Sequence, residues 1–235
     1  MSQQDISHVK LHYVYDPLCG WCYGAAPLIK IARDIAVIHA HAGGMMAGDD
    51  RRPVTTELRN FVIAHDDRIA RISGQTFGED YTNGLLRDQA AVFDSGPPIT
   101  AVLAAEQVAQ RGLDLLARLQ TAHYVEGKQI ADTQVLQALA VEIGLDGTDF
   151  DRAFKQLDGA ATQAHIDTTR ALMMRTHAYS FPALVLERDG KFTLLDITAY
   201  YGRADAWRTW LTQQLAAAQE VASQDTANNA IGCTP

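Results

Sequence analysis

The spacing of apolar residues changes its rhythm three times along the chain. Val9-Lys10-Leu11-His12-Tyr13-Val14-Tyr15 is dense in β-branched and aromatic residues and stops at Asp16-Pro17, which predicts a strand. From Cys22 to about Ile38, the residues Ala25, Leu28, Ile29, Ala32 and Ile35 or Ala36 recur at spacings of three and four, which predicts an amphipathic helix. Pro27 lies inside that run and lacks the N–H for an i→i−4 bond, so a kink is expected there. Ala36 to Ala42 then turns β-like and ends at Gly43-Gly44, a second strand.

From about Thr55 to Thr176 helical periodicity takes over and no convincing strand is visible. Asp132 ahead of Val135, Leu136, Leu139, Ala140 and Ile143, with Gly144 just beyond, marks both ends of one helix. Thr148 and Asp151 imitate a capping box for another, with Phe150, Phe154 and Leu157 as its stripe. Asp49-Asp50 and Asp66-Asp67 read as solvated loop and helix ends. After this block, Ala183–Arg188 and Lys191–Asp196 flank Asp189-Gly190, a strong hairpin signal because Gly tolerates the positive φ of a type I′ turn. A last helix carries Trp207, Trp210, Leu211 and Leu215 on one face.

A strand–helix–strand unit crosses over in parallel and a hairpin adds antiparallel strands, so an α/β fold with a mixed four-stranded sheet follows. Its core is expected at 8–54 and 177–220, with an all-helical insertion domain at 55–176. The polar stretch 221–235 is expected to be a disordered tail.

Composition narrows the function classes. The chain has 235 residues, 47% of them hydrophobic and 20% charged, which is ordinary for a globular protein with a real core. A formal net charge of −8 opposes binding to nucleic acid or to an anionic membrane surface. Residues Met1 to His8 do not resemble a secretory signal, no run reaches the ~18 apolar residues of a membrane span, and a cytoplasmic location is expected. In that reducing compartment three cysteines are too few for a disulfide framework, and a close pair points to catalysis or metal.

The pair is Cys19-Gly20-Trp21-Cys22, at the junction of the first strand and first helix. A thiol there faces the positive end of the helix dipole, which favours the thiolate. The i, i+3 spacing sets the second sulfur beside the first, so a disulfide can open and close without unfolding the backbone. Cys19, nearer the helix end and solvent, is expected to attack, and Cys22, one turn inside, to resolve the mixed disulfide. The competing readings are a zinc half-site completed by His39 and His41, at an unusual H-x-H spacing, and a pair of buried structural thiols. Ser180-Phe181-Pro182 precedes the first hairpin strand, where proline is tolerated in either cis or trans form. Cys233 lies in the polar tail and reads as a free thiol.

Tyr15-Asp16-Pro17-Leu18-Cys19-Gly20-Trp21-Cys22-Tyr23-Gly24, the helical insertion and Phe181-Pro182 together resemble the DsbA-like branch of the thioredoxin superfamily. Within it the chain is most similar to the cytoplasmic, FrnE-like group of protein-disulfide isomerases. The resemblance implies a thioredoxin-like sheet and thiol–disulfide oxidoreductase activity of the reductase or isomerase type, with Cys19 as nucleophile and Cys22 resolving. It also implies that Pro182 is cis and that Phe181 offers backbone groups to an extended substrate. Two departures stand out. Trp21 replaces the histidine that many relatives place between the cysteines, so a less oxidising couple is expected. Tyr13 occupies the first-strand position where the superfamily often buries an acidic proton relay, and Asp16, the nearest carboxylate, more simply supports the turn at Pro17.

2-Hydroxychromene-2-carboxylate isomerases and kappa-class glutathione transferases share the outline, but they activate glutathione with a serine near the helix start, and retention of both cysteines argues against that class. A redox-sensing or zinc-holding binding protein is the reading outside catalysis. The expected partner is a thiol- or disulfide-bearing protein or small molecule. No cofactor is required, although glutathione remains open as a co-substrate, and the sequence sets no oligomeric state.

Overall fold

The computed structural model describes residues 9–231, with side chains as far as residue 217. Strand β1 (Val9–Tyr15) leads into helix α1 (Gly20–Ile35), which returns to β2 (Ile38–Ala42). β2 pairs parallel with β1, so that His12 faces His39 in register. The chain then runs through α2 (Thr56–Ser73), α3 (Gly96–Ala109), α4 (Gly112–Tyr124), α5 (Thr133–Glu142), α6 (Gly147–Leu157) and α7 (Ala160–Thr176). It re-enters the sheet as the hairpin β5 (Ala183–Arg188) and β6 (Lys191–Leu195) and ends in α8 (Ala204–Ile231). The order β2-β1-β5-β6, antiparallel at its last two junctions, is the expected mixed sheet. The hairpin turn has φ of 49° at Asp189 and 74° at Gly190, as a type I′ loop requires.

One face of β1 packs Leu11, Tyr13 and Tyr15 against α1 and the main core. On the other face Val14 meets Ala178 and Ala183, with Leu172 and Met173 of α7 alongside. Trp207 anchors α8, fully buried with its indole Nε1–H donating to the Leu28 carbonyl of α1 at 2.8 Å. Pro27 sits within an unbroken α1, and the Tyr23 carbonyl that its missing N–H would have bonded accepts instead from Gln75 Nε2 at 3.0 Å. Gly20 and Gly24 lie four residues apart and let Ile69 of α2 approach the α1 backbone.

The structure departs from the sequence reading in four places. A two-residue pairing, Arg52–Pro53 (β3) with Val92–Phe93 (β4), brings a strand inside the segment read as wholly helical. The cap of α6 is Asp146, whose carboxylate accepts from the Thr148 and Asp149 amides, rather than Thr148. Asp66 is no solvated helix end, being only 5% exposed. Finally, α8 continues through 221–231, where a disordered tail was expected. Cys233 lies outside the described residues.

Candidate active site

Cys19 is the N-cap of α1, with extended backbone (φ −90°, ψ 110°), and its sulfur accepts the Cys22 amide at 3.3 Å. The sharp entry is held by Asp16, which is fully buried at the end of β1. Its carboxylate accepts from the Leu18 amide at 2.9 Å, the Met45 amide at 2.6 Å and Ser95 Oγ at 2.9 Å. One side chain thus ties the turn before the motif to the loop after β2 and to the start of α3. Burial pushes the Asp16 carboxyl up, while these three donors pull it back.

The two cysteines approach to 3.1 Å and both are free thiols. Cys19 keeps 4% exposure and Cys22 none, a narrower opening at Cys19 than its place at the helix end suggested. Burial, and then the neighbouring Cys19, push the Cys22 thiol well up. Tyr13 backs Cys22 from β1, fully buried and stacked on Tyr15 at 5.4 Å between centroids.

Across the cleft, the Phe181–Pro182 bond is cis, and the Phe181 carbonyl lies 3.7 Å from Cys19 Sγ. The Phe181 ring fills the space beside Gly43, where any Cβ would collide with it. Arg170 of α7 donates to the carbonyls of Gly43 and Gly44 at 3.1 and 2.8 Å, fixing this loop. Trp21 is half-buried between two partners, stacked on Tyr201 at 5.9 Å with the Arg68 guanidinium 5.6 Å from its ring centroid. Tyr201 also donates its hydroxyl to the Trp21 carbonyl at 2.9 Å. The structure therefore brings Asp16, Cys19, Gly20, Trp21, Cys22, Phe181 and Pro182 into one site.

His39 and His41 are not part of it. His41 Nε2 lies 2.9 Å from His12 Nδ1, and His12 Nε2 lies 2.8 Å from Glu187 on the sheet. Among the described residues no cluster of three or more His, Cys, Asp or Glu could hold a metal ion. Among the described residues the zinc alternative finds no set of ligands around the cysteines.

Sequence reasoning missed Ser95, Arg170, Tyr201 and, above all, Asp66. The Asp66 carboxylate reaches Gly20 from α2, with Oδ1 2.8 Å from where a Gly20 Cβ would be, and accepts the Tyr81 hydroxyl on Oδ2 at 3.0 Å. Burial pushes its carboxyl up to about 7. A signal was available, since Leu58, Val62, Asp66, Ile69 and Ser73 share one face of α2 and put a carboxylate on an apolar stripe.

No family model and no curated protein sequence matches the chain. Solved structures do. Cytosolic disulfide reductase DsbM from Pseudomonas aeruginosa is 50% identical, with 88% of this chain covering 98% of that one at a TM-score of 0.83. DsbM with GSH gives 47% identity, 88% and 99% coverage and a TM-score of 0.81. Pseudomonas aeruginosa DsbA, at 14% identity, 95% and 89% coverage and a TM-score of 0.51, shares the fold. With 50% identity to DsbM across a match covering 88% of the chain, and a close cysteine pair at the head of α1, the chain belongs to the DsbA-like thiol–disulfide oxidoreductases of the thioredoxin superfamily.

Proposed function

We propose that the protein is a cytoplasmic disulfide reductase in which Cys19 is the nucleophile, Cys22 the resolving thiol and glutathione the reductant that restores the pair. The observation that carries this is the asymmetry of the two thiols. Cys19 caps the positive end of α1 and has the only opening to solvent of the pair, while Cys22 is sealed and held protonated by burial.

The Cys19 thiolate attacks one sulfur of a substrate disulfide, forms a mixed disulfide and releases the other half as a thiolate, which takes a proton from solvent. Cys22 then loses its proton and attacks Cys19 Sγ, releasing the second substrate thiolate and leaving a Cys19–Cys22 disulfide. Two glutathione thiols reduce that disulfide by the reverse sequence and leave as oxidised glutathione. The Phe181 carbonyl beside Cys19 gives an extended substrate a backbone group to pair with, Pro182 presents it, and Gly20 and Trp21 shape the wall opposite. Asp16 acts as the scaffold of the turn, its carboxylate occupied by three donors. DsbM, described as a cytosolic disulfide reductase and solved with GSH, supports both the direction and the reductant.

Glutathione-dependent reduction of a small disulfide, followed through NADPH and glutathione reductase, tests the reading. Cys19→Ser is expected to fall to the uncatalysed rate and Cys22→Ser to lose at least tenfold, because the mixed disulfide is left without its internal exit. Full activity in Cys19→Ser overturns the assignment.

A further inference from the structure

We propose that Asp66 is a positioning residue that restrains the dithiol electrostatically, its ionised carboxylate holding down the Cys19 thiolate and making the couple more reducing. This rests on the reading of Cys19 as the reactive thiol.

The geometry is specific. Asp66 comes from α2, outside the sheet and the motif, yet its Oδ1 lies 2.8 Å from where a Cβ at position 20 would be, at the residue that follows Cys19 in the motif. It reaches that point because Gly20 and Gly24 remove two side chains from the α1 face and admit Ile69. The Tyr81 hydroxyl holds Oδ2 at 3.0 Å, so the carboxyl is aimed rather than free to swing away. Negative charge here opposes the helix N-terminus that favours a thiolate on Cys19. A thiolate less favoured in the reduced state makes a dithiol a better reductant, the reverse of what stabilises a strong oxidant.

The other groups facing Asp66 are few. On its own helix they are His65, Asp67 and Arg68, the last turned onto Trp21. Tyr81 lies on the turn that follows α2, Tyr124 comes from α4 with His123 packed on Tyr81, and on α1 the group Asp66 meets is Gly20, which Cys19 and Cys22 flank in sequence. Burial sets the Asp66 carboxyl at about 7, so it gains its charge as pH rises through neutrality. The restraint therefore tightens as pH rises through neutrality.

The test is the pH profile of Cys19 alkylation by iodoacetamide in a Cys233→Ser background, read by peptide mass spectrometry. Asp66→Asn keeps the size and the acceptor for Tyr81 but removes the charge. Alkylation of Cys19 is expected to speed up about three- to tenfold at pH 7.5, and the equilibrium against glutathione at pH 8 to move several-fold toward the dithiol. Tyr81→Phe removes the donor to Asp66, raises its affinity for a proton and is expected to shift the profile the same way by less. An unchanged profile and equilibrium in folded Asp66→Asn, or a slower alkylation, overturns the proposal. Both readouts need only a reactive thiol pair, so a wild type that alkylates at Cys19 but reduces no disulfide breaks the functional reading and leaves this one standing.

Discussion

At Gly20 a methyl group would come within 2.8 Å of Asp66 Oδ1, closer than Cβ atoms come in practice, and 3.1 Å from Ile69 Cδ1, a tight contact. Ala at this position would ordinarily favour helix, so the sign of the effect separates packing from propensity. Gly20→Ala is expected to destabilise by about 1–3 kcal/mol in urea unfolding, since the Asp66 carboxylate and the Ile69 δ-methyl must shift from their packed positions. Gly43→Ala acts on the opposite wall, because its Cβ collides with the Phe181 ring and displaces the residue that faces Cys19. Its signature is a raised KM for a peptide disulfide with less effect on a small one. Asp16→Ala removes one acceptor from three donors, two of them backbone amides at the site. A loss of about 3 kcal/mol is expected, measured by the same unfolding curves.

Among elements, α1 shows how a helix that carries proline is kept whole. Gln75, in the loop after α2, supplies the hydrogen bond that Pro27 withholds from the Tyr23 carbonyl, so Gln75→Ala is expected to cost about 1 kcal/mol in urea unfolding. The two strands around α1, the Asp189-Gly190 hairpin and the helix capped by Asp132 are all legible from apolar spacing and turn chemistry. What escaped has identifiable causes. A strand of two residues, Val92–Phe93, is too short to show alternation. Asp146 and Thr148 are both competent caps, and only the backbone conformation decides between them. Paired aspartates read as solvated, and nothing local reveals that Tyr81 and the α1 glycines bury the first of them. The cysteine pair was plain from spacing alone, whereas the groups that hold it come from α2, α3, α7 and the loop before α8, distant in sequence.

Over the whole molecule, buried ionisable groups shape stability from both sides of neutrality. Burial pushes His41 and His123 down to about 4, so the unfolded chain binds their protons first and stability is lost as pH falls from about 6.5 to about 4. Asp66 runs the other way. The folded state holds its proton up to about 7 while the unfolded chain releases it near 4, so stability is lost as pH rises between those values. Asp66→Asn removes only the second effect. Its stability relative to the wild type is expected to improve, on the order of 3 kcal/mol, between pH 4 and pH 8 in denaturant titrations. The same charge that tunes the dithiol thus costs fold stability at working pH, the usual exchange at a functional site. The central claim, that Cys19 attacks and Cys22 resolves, is tested most directly by trapping the intermediate. Cys22→Ser in the Cys233→Ser background, incubated with oxidised glutathione, is expected to carry a single glutathione in mixed disulfide on Cys19. An adduct that persists in Cys19→Ser on Cys22, or no adduct on Cys19, would contradict the account.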